Sequence, residues 1–171
     1  KNKIFLINQD NRLICFNIKD GSKMWDIRAI SSFIKLQNFL SLAITKEGDI
    51  ISLNSSGDLI KTEAETGRVV WAMNVSGSIY ADATDFFRSS ELVVDKENVI
   101  FSAGSVILSV NLNNGIVNWE KEIIAIGTPI VEGKHIFFVT DNGYFVNINS
   151  RTGEIIWSIN ILKILKKKDQ N

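Results

Sequence analysis

Every tryptophan in the chain has a glycine four residues before it: Gly21 and Trp25, Gly67 and Trp71, Gly115 and Trp119, Gly153 and Trp157. A motif that absorbs all the tryptophans of a sequence is a repeat. A repeat narrows the fold to stacked copies of one supersecondary unit.

The unit is plainest in its last copy. Gly127 to Gly133 reads as a short strand and turn, and His135 to Thr140 as a second strand. Asp141-Asn142-Gly143 makes a turn into a third strand, Tyr144 to Asn149. Ser150-Arg151-Thr152-Gly153 is a tight turn into a fourth strand, Glu154 to Asn160, which carries the tryptophan. Short polar breaks between β-rich runs are hairpin signals. The glycine belongs where the turn needs positive φ, which few other residues adopt cheaply. In the second copy Val69, Trp71, Met73 and Val75 alternate onto one strand face, as a half-buried strand requires.

Taken in order, the chain predicts a partial unit over 1–28 and complete units over 39–75, 91–123 and 127–160, with a tail at 161–171, all within a single domain. The first unit lacks its opening strand, so the sequence reads as a fragment that starts inside a repeat. Two inserts interrupt the rhythm, one before Phe39 and one at Ser76 to Ser90. Four-stranded antiparallel units at a period near ~40 residues are β-propeller blades. The predicted fold is all-β, a partial propeller, with each Trp filling the wedge between neighbouring blades. Its exposed blade faces and edge strand are expected to be capped by another copy of the chain, as a homodimer.

Composition excludes some functions. Lysine plus arginine equal aspartate plus glutamate at 19 each, so no net field steers a nucleic acid. No apolar run reaches the ~18 residues of a membrane span. The one cysteine, Cys15, cannot form an internal disulfide and alternates with Leu13 as a small buried hydrophobe would. The one histidine, His135, has no partner at metal-ligand spacing. No phosphate loop, nucleophile elbow or zincin motif is present. No catalytic, cofactor-binding or metal-binding residue is therefore expected. The insert Asp82, Asp85, Phe86, Phe87 and Arg88 is the candidate functional segment, because aromatic and arginine anchors ringed by charge suit a protein interface.

The strand-turn-Gly-Trp pattern, fullest in Tyr144 to Trp157, resembles the PQQ-like repeat over essentially the whole chain. WD40 units put Asp after the Trp, whereas here Asp26, Ala72, Glu120 and Ser158 follow; kelch Gly-Gly pairs are absent. Two families share the repeat: quinoprotein dehydrogenases, which bind PQQ and Ca²⁺, and the BamB family, a cofactor-free propeller lipoprotein of the outer-membrane β-barrel assembly machinery. Asn2 to Gly21 is similar to a middle BamB blade, and Ser76 to Val94 resembles a BamB inter-blade loop, with Glu91 in place of a proline.

The BamB resemblance implies a non-catalytic scaffold at the periplasmic face of the outer membrane of a Gram-negative bacterium, held there by an N-terminal lipid anchor outside this sequence. It implies a BamA-like partner, contacted by the Asp82 to Arg88 segment and by the connection holding Lys35 and Leu36. Unfolded barrel strands could add to exposed blade edges by β-augmentation. The alternatives are a quinoprotein dehydrogenase fragment and a sensor domain with PQQ-like repeats.

Overall fold

The computed structural model describes residues 2–28, 41–54, 57–75 and 89–163. Among the described residues fifteen strands follow one another. They are β1 Lys3–Ile7, β2 Arg12–Asn17, β3 Lys23–Arg28, β4 Ser41–Ile44, β5 Ile50–Leu53, β6 Asp58–Thr62, β7 Val69–Asn74 and β8 Val93–Asp95. The rest are β9 Asn98–Ala103, β10 Val106–Asn111, β11 Val117–Glu122, β12 Ala125–Glu132, β13 His135–Thr140, β14 Tyr144–Asn149 and β15 Ile155–Asn160. They form four antiparallel meanders, β1-β2-β3, β4-β5-β6-β7, β8-β9-β10-β11 and β12-β13-β14-β15. These are propeller blades, and the first has three described strands.

Local chemistry sets the strand ends. β1 ends at Ile7, because the Asn8 side-chain oxygen accepts the N–H groups of Asp10 and Arg12, each at 3.0 Å, and the chain turns. Such asparagine turns compete directly with a strand ladder. β12 starts two residues before its expected beginning at Gly127, and its register breaks between Ile126 and Ile130, around Gly127 and Pro129.

Alternating residues of each sheet point to opposite neighbours, so every blade has a trailing face that bears its Trp and a leading face that does not. Between blades two and three, Ile51, Leu53 and Leu59 meet Val99, Phe101, Leu108 and Val110, with Trp71 and Met73 packed on the edge. Between blades three and four, Ile100, Ile107 and Trp119 meet Ile136, Phe138, Val146 and Ile148. These interfaces are the core. A single blade could bury neither face, so apolar burial at ~25 cal/mol per Å² ties neighbours together.

Each Trp strand carries the same irregularity. Cys15 pairs with Trp25 but Phe16 with Lys23, and the same one-residue skip precedes Trp71, Trp119 and Trp157. The unpaired residue is Met24, Val70, Asn118 or Ile156 in turn. A bulge bends its strand and re-aims the next side chain.

Candidate functional site

The four glycines sit in one turn repeated four times. Their φ angles are +70°, +76°, +73° and +68° at Gly21, Gly67, Gly115 and Gly153. Each glycine N–H donates to the carbonyl four residues back, at Asn17, Glu63, Asn111 and Asn149. In three turns that residue is asparagine, whose side chain also accepts the N–H two residues on: Lys19, Asn113 and Arg151. In the second, Glu63 accepts from Thr66 and Arg68 instead. Those bonds, the Thr66 one first, hold the Glu63 carboxyl below the usual glutamate range.

Glycine and tryptophan of one motif do not meet. Trp25 lies on Gly67, Trp71 on Gly115 and Trp119 on Gly153, each one blade further on. A Cβ added to those glycines would come within 2.8, 2.8 and 2.7 Å of the indole. Each indole Nε1–H then donates to the carbonyl three residues before that glycine: Trp25 to Ala64 at 3.2 Å, Trp71 to Leu112 at 2.9 Å, Trp119 to Ser150 at 3.0 Å. Spacing alone put the indole in the inter-blade wedge. It gave no sign of which glycine receives it, because the partner is one whole repeat away.

Asp82, Asp85, Phe86, Phe87, Arg88, Lys35 and Leu36 lie outside the described residues. What is described is where their segments rejoin the scaffold. Ser41, at the start of β4, accepts the N–H of Leu92, at the approach to β8, on its side-chain oxygen at 2.7 Å. Ser41 and Leu92, on neighbouring blades, therefore adjoin. Ser90 N–H donates to the Ser102 carbonyl at 2.7 Å, and Ser90 Oγ donates to the Glu91 carbonyl at 2.9 Å. Glu91 N–H donates to Thr128 Oγ1 at 3.3 Å. The proline that the resemblance expected at this position could not donate that bond. An open hollow of about 390 Å³, lined by Ser89, Ser90, Glu91, Ser102 and Thr128, lies beside this junction.

The remaining chemical candidates have structural surroundings. Cys15 is fully buried, and burial raises its thiol above the ordinary value. His135 stacks on Phe137 with centroids 5.9 Å apart and shares a hydrogen bond with Asn147 at 3.2 Å. Buried Asp58 takes the side-chain N–H groups of Asn54 at 3.0 Å and Asn74 at 2.7 Å, closing the β5–β6 hairpin. Among the described residues no three of His, Cys, Asp and Glu gather as metal ligands, and no helix is long and apolar enough to cross a membrane.

Comparison with known proteins agrees with this geometry. The chain is 25% identical over 180 residues to the outer membrane protein assembly factor BamB of Shewanella oneidensis, covering 92% of this chain and 41% of that protein. It thus spans less than half the length of the curated relatives it matches. Among solved structures it superposes on BamB from Moraxella catarrhalis with a TM-score of 0.66 at 16% identity, covering 93% of this chain and 45% of that one. It also superposes on a quinohemoprotein alcohol dehydrogenase from Comamonas testosteroni, with a TM-score of 0.72 at 13% identity, covering 93% and 33%. These superpositions show the shared propeller fold. The family described as outer membrane protein assembly factor BamB matches residues 1–159, nearly the whole sequence, and the chain belongs to that family.

Proposed function

We propose that this chain is a non-catalytic, protein-binding part of a BamB-like scaffold. It works in outer-membrane β-barrel assembly at the periplasmic face of a Gram-negative outer membrane. The observation that carries the reading is the family match over residues 1–159. The Ser41–Leu92 hydrogen bond supports it, because it joins the re-entry points of the two segments that sequence singles out for binding. A BamA-like partner would then be contacted by Asp82, Asp85, Phe86, Phe87 and Arg88 from one segment and by Lys35 and Leu36 from the other.

Asp85→Arg combined with Phe86→Ala is expected to weaken capture of a BamA-like periplasmic domain by about thirtyfold, the effect of losing one hot spot. The circular dichroism spectrum should not change. Undiminished capture would remove the segment from the interface.

The dehydrogenase reading draws on a shared fold, and a fold by itself carries no chemistry. Incubation with PQQ and Ca²⁺ is expected to leave no bound chromophore and no dye-reducing activity; either one would replace the scaffold reading with an enzyme.

A further inference from the structure

The hollow of about 390 Å³ beside Ser90 lies where blades three and four meet, each a sheet of four strands, so both of its walls are internal to the stack. A kink in β12 opens it. Gly127, Thr128 and Pro129 fall out of register with β13. Gly127 turns at φ +75° with nothing within 4 Å of the position a Cβ would take, so the one residue type that tolerates the turn also leaves the space clear.

The wall carries a group that the fold leaves unused. Ser89 is 7% exposed, and its Oγ has no hydrogen-bond partner. The hydroxyls around it are taken. Ser90 Oγ donates to the Glu91 carbonyl and accepts the Ser102 N–H at 3.0 Å. Ser102 Oγ donates to the Gly127 carbonyl at 3.5 Å, and Thr128 Oγ1 accepts the Glu91 N–H. A native fold pairs nearly all its buried polar groups, and one left over beside open space marks a place for a ligand.

Charge says what kind of ligand. Among the described residues that line this hollow, Glu91 is the one charged group. Glu122, Ile123 and Ile124, which lead into β12, wall a second hollow of about 380 Å³; its described lining adds Asp141 and again holds no cation. The three carboxylates are exposed, and among the described residues none is held in an ion pair. Carboxylates and a spare hydroxyl call for a ligand rich in donors. A guanidinium offers five N–H donors and no acceptor, and it meets a carboxylate as a two-pronged fork.

We propose that the hollow between blades three and four receives an arginine side chain of the partner protein, its guanidinium set against the Glu91 carboxylate and donating to the Ser89 hydroxyl. The inference rests on the reading of this chain as a partner-binding scaffold. It adds an anchor point on the blades themselves.

The first test titrates acetyl-arginine amide into the isotope-labelled 171-residue chain. Saturable shifts are expected at the amides of Ser89, Glu91 and Thr128. The neutral isostere, acetyl-citrulline amide, should bind at least about tenfold more weakly, and Glu91→Gln should weaken the arginine probe by a similar factor. Ser89→Ala separates binding from architecture. It should weaken the probe severalfold yet leave the urea unfolding midpoint no lower than wild type, because the hydroxyl bonds to nothing in the free chain. Absent shifts, citrulline binding as well as arginine, or a Ser89→Ala that lowers the midpoint and spares the probe would each overturn the proposal. The second test is capture of a BamA-like periplasmic domain, which Glu91→Gln should weaken about tenfold. Capture untouched by Glu91→Gln but lost with Asp85→Arg and Phe86→Ala would overturn the arginine anchor and keep the scaffold. A wild-type chain that captures no such domain would remove that partner, and the titration then decides the hollow by the same outcomes.

Discussion

Trp119→Ala is expected to lower folding stability by about 4 kcal/mol, the upper range for emptying a large buried aromatic site. Trp119 is the most enclosed of the four indoles and packs among Ile100, Ile107, Ile136 and Phe138 at the junction of blades three and four. Its loss opens a cavity that spans two sheets, so neither backbone can relax inward alone. It also strips the Ser150 carbonyl of its donor, which adds about 1 kcal/mol if water cannot reach it. With a urea m-value near 2 kcal/mol/M, the unfolding midpoint should fall by about 2 M. Trp157→Ala, at an indole left about one-third exposed, should cost less, about 1–2 kcal/mol. A midpoint shift below about 0.5 M for Trp119→Ala would mean that the clasp does not hold the blades together.

Gly153→Ala should cost about 3 kcal/mol, a large loss for one methyl group. Two terms add. The residue sits at φ +68°, where a Cβ costs about 1–2 kcal/mol, and the new methyl would stand 2.7 Å from Trp119 Cδ2. The indole cannot retreat without losing its hydrogen bond to Ser150. Gly48→Ala is the matched control, since Gly48 has φ +96° with nothing within 4 Å. It should show the backbone term alone, about 1–2 kcal/mol. Equal losses at the two sites, read from thermal or urea unfolding, would show that strain in the turn rather than contact with the indole explains the glycine.

Much of this was legible in the sequence, for a physical reason. Hairpins are local, so Asp141-Asn142-Gly143 and the Gly–Trp turns announce themselves within a few residues, and β13 and β14 fall on their expected bounds. Three features were not. The bulge before each Trp leaves no consistent composition mark, because Met24, Val70 and Ile156 are ordinary apolar strand residues and Asn118 is polar. The seating of Trp25 on Gly67 joins residues far apart in the chain, and a single sequence carries no signal for such a pairing. The meeting of Ser41 with Leu92, where the two segments rejoin the scaffold, becomes visible only once β4 and β8 lie side by side.

That each indole bonds to a main-chain oxygen has a consequence for how such a surface can diversify. The acceptor is supplied by whatever residue occupies the place, and in this chain it is alanine, leucine or serine. The next two positions read Glu65-Thr66, Asn113-Asn114 and Arg151-Thr152, so the turn tips range from acidic through neutral to basic. The rim can therefore be repainted, charge by charge, to suit whichever molecule it meets, while the joinery beneath stays the same.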